Sequence, residues 1–194
     1  KNIVENKDFI EIKTDGFFVK FNKNKGLSIF SAGLIKDKKE LCILGTLEHG
    51  FFDNIELGAD FFSGAFVMQD MKDANLITDL LQVDPVISCQ NEVIAISTDF
   101  KIGKVIVKKT IFINLKKMSV NFLYSFNNRR RSRETIRLSA ATIKTDQMKN
   151  INFNVYSKTG SKTAHKYVLD REFDHGLPVS HRVSSSSGLP STDG

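Results

Sequence analysis

The side chains best suited to moving protons gather in two stretches. Glu48, His49, Asp53 and Asp60 fall within Leu47–Asp70, and His175 and His181 fall within Phe173–Arg182. General acid–base catalysis needs a histidine or carboxylate pair placed across a substrate, and folding that brings the two stretches together would supply one. Glycosidic cleavage asks for two carboxyls about 5–9 Å apart, a separation set by folding and not by spacing along the chain. The same residue types also cap turns and accept bonds from backbone amides, so both readings stand at this level. His175 and His181 share strand parity across Gly-Leu-Pro-Val, but a metal site needs three or four convergent ligands, and neither HExxH nor CxxC occurs. Asp53-Asn54-Ile55-Glu56 lacks the calcium-loop spacing, no glycine-rich phosphate loop is present, and Ser184–Ser187 has no GxSxG around it. Neither a metal nor another cofactor is expected.

Sugar recognition combines an aromatic ring face with polar groups that read hydroxyls. Trp is absent, so the candidates are Phe52 and Phe62 in the mixed stretch and Tyr156 further on. Tyr156 shares the polar face of its strand with Asn150, Asn152 and Asn154. That face is also what an ordinary solvated strand would present.

The elements that position these residues read as β. The chain has 194 residues, 41% hydrophobic and 26% charged, which suits one folded domain with a sizeable core. Its 16 Phe against 3 Tyr favour core packing over polar contacts. The net charge of +6 is spread among acidic residues, and the one compact basic run, Arg129–Arg133, reads as a hairpin tip or as a patch that docks an acidic partner. Nucleic acid is not expected as a partner. Cys42 and Cys89 read as buried thiols of a reducing, cytoplasmic protein. No apolar run reaches the roughly 18 residues of a membrane span.

Ile10 and Ile12 mark a short strand. Phe17–Phe21 alternates, and Asn22–Gly26 then turns the chain into Leu27 and Ile29, with Gly26 free to take positive φ. Lys36–Glu40 is a charged turn before the apolar Leu41–Leu44. Met71–Val83 has helical spacing at Leu76, Ile77, Leu80 and Leu81, yet the β pattern after Asp84-Pro85 favours an extended segment. Val105–Ile113 is apolar on both faces and reads as central in a sheet. Met118, Val120, Phe122, Tyr124 and Phe126 share one parity, the mark of a half-buried strand. Asn127–Arg133 turns the chain, Ile136, Leu138 and Ala140 return it, and Ile151, Phe153 and Val155 lie on a later strand. About nine or ten strands at intervals of roughly 8–12 residues predict an all-β antiparallel sandwich. It is expected to form a single domain over 1–194, cut from a longer chain, with 183–194 as a flexible tail or truncated loop.

The opening FFVKFNKNKGLSIFS, the central LEHGFFDNIELGADFFSG and the late FDHGLPVSHRVSSSSG resemble segments of the C-terminal β-sandwich domains of glycoside hydrolase family 57-like proteins. The resemblance implies a galactose-mutarotase-like supersandwich. It also implies an accessory, non-catalytic domain that binds polysaccharide or oligosaccharide or shapes the cleft of a catalytic domain on the same protein. No family nucleophile or acid maps onto a residue of this sequence. Two alternatives remain: a mutarotase- or epimerase-like enzyme using histidine and carboxylate chemistry, for which Glu48, His49 and His175 have suitable groups, and a basic interaction module.

Overall fold

A computed structural model describes residues 2–46, 62–70, 76–102, 105–127, 134–138, 141–144, 153–157 and 162–169. The chain divides into two compact units, Lys1–Gln147 and Met148–Gly194. The first opens with β1 (Asn2–Glu5), β2 (Phe9–Lys13), β3 (Phe17–Asn22), β4 (Ser28–Lys36) and β5 (Lys39–Gly45). Next come β6 (Phe66–Asp70), β7 (Leu76–Thr78), β8 (Val86–Gln90), β9 (Val93–Ile102), β10 (Val105–Asn114) and β11 (Ser119–Asn127). The unit closes with β12 (Glu134–Leu138) and β13 (Thr142–Ile143). In the second unit, β14 (Phe153–Ser157) pairs antiparallel with β15 (His165–Leu169).

The protein is all-β, antiparallel and sandwich-like. A six-stranded sheet, β1-β2-β3-β4-β5-β13, and a four-stranded sheet, β11-β10-β9-β8, supply the two faces. Alternation decides which residues meet between them. Ile10, Ile12, Val19, Phe21, Ile29 and Ala32 from the first sheet pack with Ile94, Ile96, Ile111 and Ile113 from the second. Each large aliphatic or aromatic side chain removed from water in this way is worth about 1.5–3 kcal/mol relative to staying exposed. A smaller sheet, β12-β6-β7, provides Phe66 and Met68, which pack with Phe100 and Val107 in a second cluster. Phe66 sits edge-on to Phe100, Tyr124 and Phe126, the arrangement ring quadrupoles favour.

The hairpin expected at Asn22–Gly26 is present. Lys23–Lys25 makes one 3-10 turn, Asn22 caps it through its side chain, and Gly26 takes φ 60°. Leu76–Thr78 is a strand, so the described part of Met71–Val83 opens extended and carries no helix, although Leu81 turns back to bond Asp79 O. The half-buried strand from Met118 begins one residue later, at Ser119, and keeps its parity.

Three local readings are corrected. β10 is central in strand order, as expected, but its second face is open: Ile106 is 44% and Phe112 37% exposed, and among the described residues no layer covers that side. β12 does not return beside β11; it pairs with β6, from Glu134↔Asp70 to Leu138↔Phe66. Cys89 is exposed, whereas Cys42 is buried as expected, since β8 is an edge strand and β5 lies inside its sheet. The basic run Arg129–Arg133 and the tail 183–194 lie outside the described residues.

Candidate functional site: a buried ion pair between the sheets

Lys109 lies on the core-facing parity of β10, between Val107 and Ile111, and is fully buried. A lysine there needs every one of its three donors satisfied, because an unpaired ammonium out of water is prohibitively costly. The fold meets that need from three distant places. Nζ lies 2.7 Å from the Gly26 carbonyl, 2.7 Å from the Gly64 carbonyl and 2.7 Å from Asp79 Oδ2. Asp79 is equally buried, and its other oxygen, Oδ1, accepts the Phe66 N–H at 2.9 Å. The Phe122 and Tyr124 rings lie 5.4 and 5.6 Å from Nζ and present their π-faces to the cation. The Tyr124 hydroxyl donates to Gly64 O at 2.6 Å.

Burial pushes the Asp79 carboxyl above its ordinary range, and the Lys109 charge works against that. Burial likewise pushes the Lys109 ammonium down, and Asp79 opposes it. Three acceptors around Nζ and two donors around the carboxylate form the cage of an ionised pair. Such a cage holds its proton in place and leaves no N–H of the ammonium to offer a substrate. Its chemistry is therefore that of a fastener, tying the β3–β4 turn, the Gly64 turn and the segment after β7 onto β10.

Two glycines permit the approach. A Cβ on Gly26 would lie 1.8 Å from Asp79 O, and one on Gly64, at φ +80°, would lie 2.4 Å from Phe122 Cζ. Gly26 also donates its N–H to Leu81 O at 2.8 Å, and Val83 donates to Lys23 O at 2.9 Å, so two further bonds stitch the segment after Asp79 to this turn. Tyr124→Phe is expected to cost about 1 kcal/mol through loss of one neutral hydrogen bond. Urea unfolding would measure it; a variant as stable as the parent would mean that the hydroxyl contributes nothing to the cage.

Two clefts flank this centre. One, of ≈ 390 Å³, is lined by apolar groups including Phe17, Leu34, Ile43, Met118, Val120 and Phe122. Ser63 also borders it, but its hydroxyl donates to Gly45 O at 2.6 Å and accepts the Thr142 N–H at 2.8 Å, so that group is already committed within the fold. The other, of ≈ 580 Å³, has Gln82, Asp84, Ser97, Asp99, Lys101 and Lys108 among its walls. Among the described residues no group of three or more His, Cys, Asp or Glu could hold a metal ion. None of the helices described is long and apolar enough to cross a membrane.

The acid–base candidates Glu48, His49, Asp53, Asp60, His175 and His181 lie outside the described residues, as does Phe52. Phe62 is buried at 4% exposure with Lys25 Nζ 5.5 Å from its ring centre, so it offers no open face for stacking on a sugar. Tyr156 is 64% exposed, with Asn154 also exposed on the same side of β14. Lys109 and Asp79 were missed at the sequence level. The signal was present in the alternation Val105, Val107, Lys109, Ile111, Ile113, where one charge occupies a core position and demands a partner. No family model, curated protein or solved structure matches this chain.

Proposed function

We propose that the protein is an accessory, non-catalytic β-sandwich module that binds polysaccharide or oligosaccharide for a catalytic domain carried by the same protein. In this reading its fold is of the galactose-mutarotase-like supersandwich type and it works in the cytoplasm. The observation that carries the proposal is the exposed face of the β14–β15 hairpin. Tyr156 stands 64% exposed there, Asn154 lies two residues away on the same face, and exposed Lys166 is directly opposite Tyr156. A largely exposed phenol ring provides an apolar plane for a pyranose face, and the amide and ammonium groups beside it are donors for its hydroxyls. The closed cage around Lys109 agrees with a scaffold role, since its ionisable groups are spent on holding strands together.

The test is calorimetric titration of the protein with α-glucan oligosaccharides. Tyr156→Ala is expected to weaken binding at least about tenfold, equivalent to roughly 1.4 kcal/mol of contact. Lack of saturation at millimolar sugar, or an affinity untouched by the substitution, would overturn the assignment.

A further inference from the structure

Among the described residues, part of β9 has an open edge. β9 pairs with β10 along its whole length, from Ile102↔Val105 to Val93↔Asn114. Its other neighbour, β8, stops at Val86↔Ser97. The chain before β8 passes through Asp84-Pro85, and proline has no N–H with which to extend the ladder. The direction of the free groups follows from register. Two residues separate Ile102 from Val105, so that flanking pair exchanges hydrogen bonds, as do Phe100 with Val107 and Thr98 with Lys109. The intervening residues, Asp99 and Lys101, point their N–H and C=O groups the other way, toward the side that β8 has vacated. Among the described residues no strand pairs with them there. The ≈ 580 Å³ cleft lies along this edge, with Ser97–Lys101 on one wall and Leu81–Asp84 on the other.

We propose that this slot takes an extended peptide as an added antiparallel strand, continuing the line of β8. An exposed edge with unpaired donors and acceptors is a template for strand addition. Side-chain chemistry then selects the peptide. Asp99 and Lys101 share the outer face, so the residues opposite them lie on that face as well. A basic residue suits the position opposite Asp99, where Asp84 on the facing wall adds a second carboxylate. An acidic residue suits the position opposite Lys101. The residue between them turns inward toward Phe100 and Val83, which calls for an apolar side chain. In antiparallel order the partner carries an acidic–apolar–basic triplet. This proposal concerns a different unit from the Tyr156 face and does not depend on it.

The experiment uses the whole protein and a capped synthetic peptide centred on Glu-Val-Lys, followed by calorimetry and backbone amide shifts. The expected result is saturable binding, with the largest shifts at the amides of Asp99 and Lys101. A copy N-methylated at the Glu and Lys amides, which would face β9, should bind at least tenfold more weakly with its side chains unchanged. The reversed centre, Lys-Val-Glu, should also lose about tenfold, since it places like charges together. No saturation at millimolar peptide, equal binding of the N-methylated copy, or shifts confined to other strands would each overturn the proposal. So would self-association through β9 that excludes the peptide.

Discussion

Lys109→Met is expected to lower the unfolding free energy of the sandwich by about 3–5 kcal/mol, because it leaves Asp79 buried without its cation. The methionine fills most of the lysine's volume, so a cavity is not the main cause. Gly26 O and Gly64 O also lose a charged donor, although Tyr124 still bonds to Gly64 O. The double variant Lys109→Met/Asp79→Asn is expected to recover a substantial part of the loss. Its amide oxygen can still accept the Phe66 N–H, and it brings no charge into the core. The two losses simply adding in equilibrium urea unfolding would show that the charges do not interact as the geometry implies.

The pH dependence of the single variant has a definite sign. Burial raises the Asp79 carboxyl from its ordinary value of 3.8, and Lys109 is the main influence pulling it back. Without Lys109 the folded value rises further. A carboxyl raised in the folded state gives stability that is fully present below its ordinary value and is lost as pH rises through the folded value. The gap between Lys109→Met and the parent should therefore be widest near neutral pH and narrow as the solution is acidified. A gap constant from neutral pH down to about 4 would contradict the carboxyl's assigned role.

Gly26→Ala is the second large effect, expected to cost about 3 kcal/mol or more. Holding a residue with a Cβ in the left-handed region accounts for about 1–2 kcal/mol. The remainder comes from contact: the new methyl would sit 1.8 Å from the Asp79 carbonyl, so the turn or the segment after β7 must move. Either movement stretches the bonds from Lys109 to Gly26 O and from Gly26 N–H to Leu81 O. Gly26→Asn separates the two causes, since Asn tolerates the left-handed backbone but brings the same Cβ. Both variants should fall well below the parent in thermal melting, by about 2–4 °C per kcal/mol for a domain of this size. A Gly26→Asn protein as stable as the parent would show that the close approach costs nothing.

Much of the fold was legible because a strand's period of two is written directly in residue type. Ile10 with Ile12, Phe17 through Phe21, and Val120 through Phe126 each revealed which face is buried, whereas Met118, assigned to the same face, is 50% exposed in the turn before β11; the turn needing positive φ revealed itself through Gly26. Pairing between distant strands was less visible. Nothing local in Ile136 and Leu138 says that they lie beside Phe66–Asp70 and not beside the strand just before them, since either neighbour satisfies the same alternation. Apolar content misled at Ile106 and Phe112, because hydrophobic type does not say whether another layer exists to cover it.

The cage shows the division most plainly. Residue types alone were enough for an antiparallel all-β chain, the parity of its main strands and the need for a partner to any charge at position 109. It took the closed sheets to show that Asp79, Gly26 and Gly64 answer that need, and that among the described residues no strand pairs with β9 at Asp99 and Lys101. Hydrophobic alternation is a local property, repeated every two residues and readable within one strand. The satisfaction of a buried ammonium, or the length of a neighbouring strand, depends on groups from 30 to 83 residues away that meet only when the sheets close.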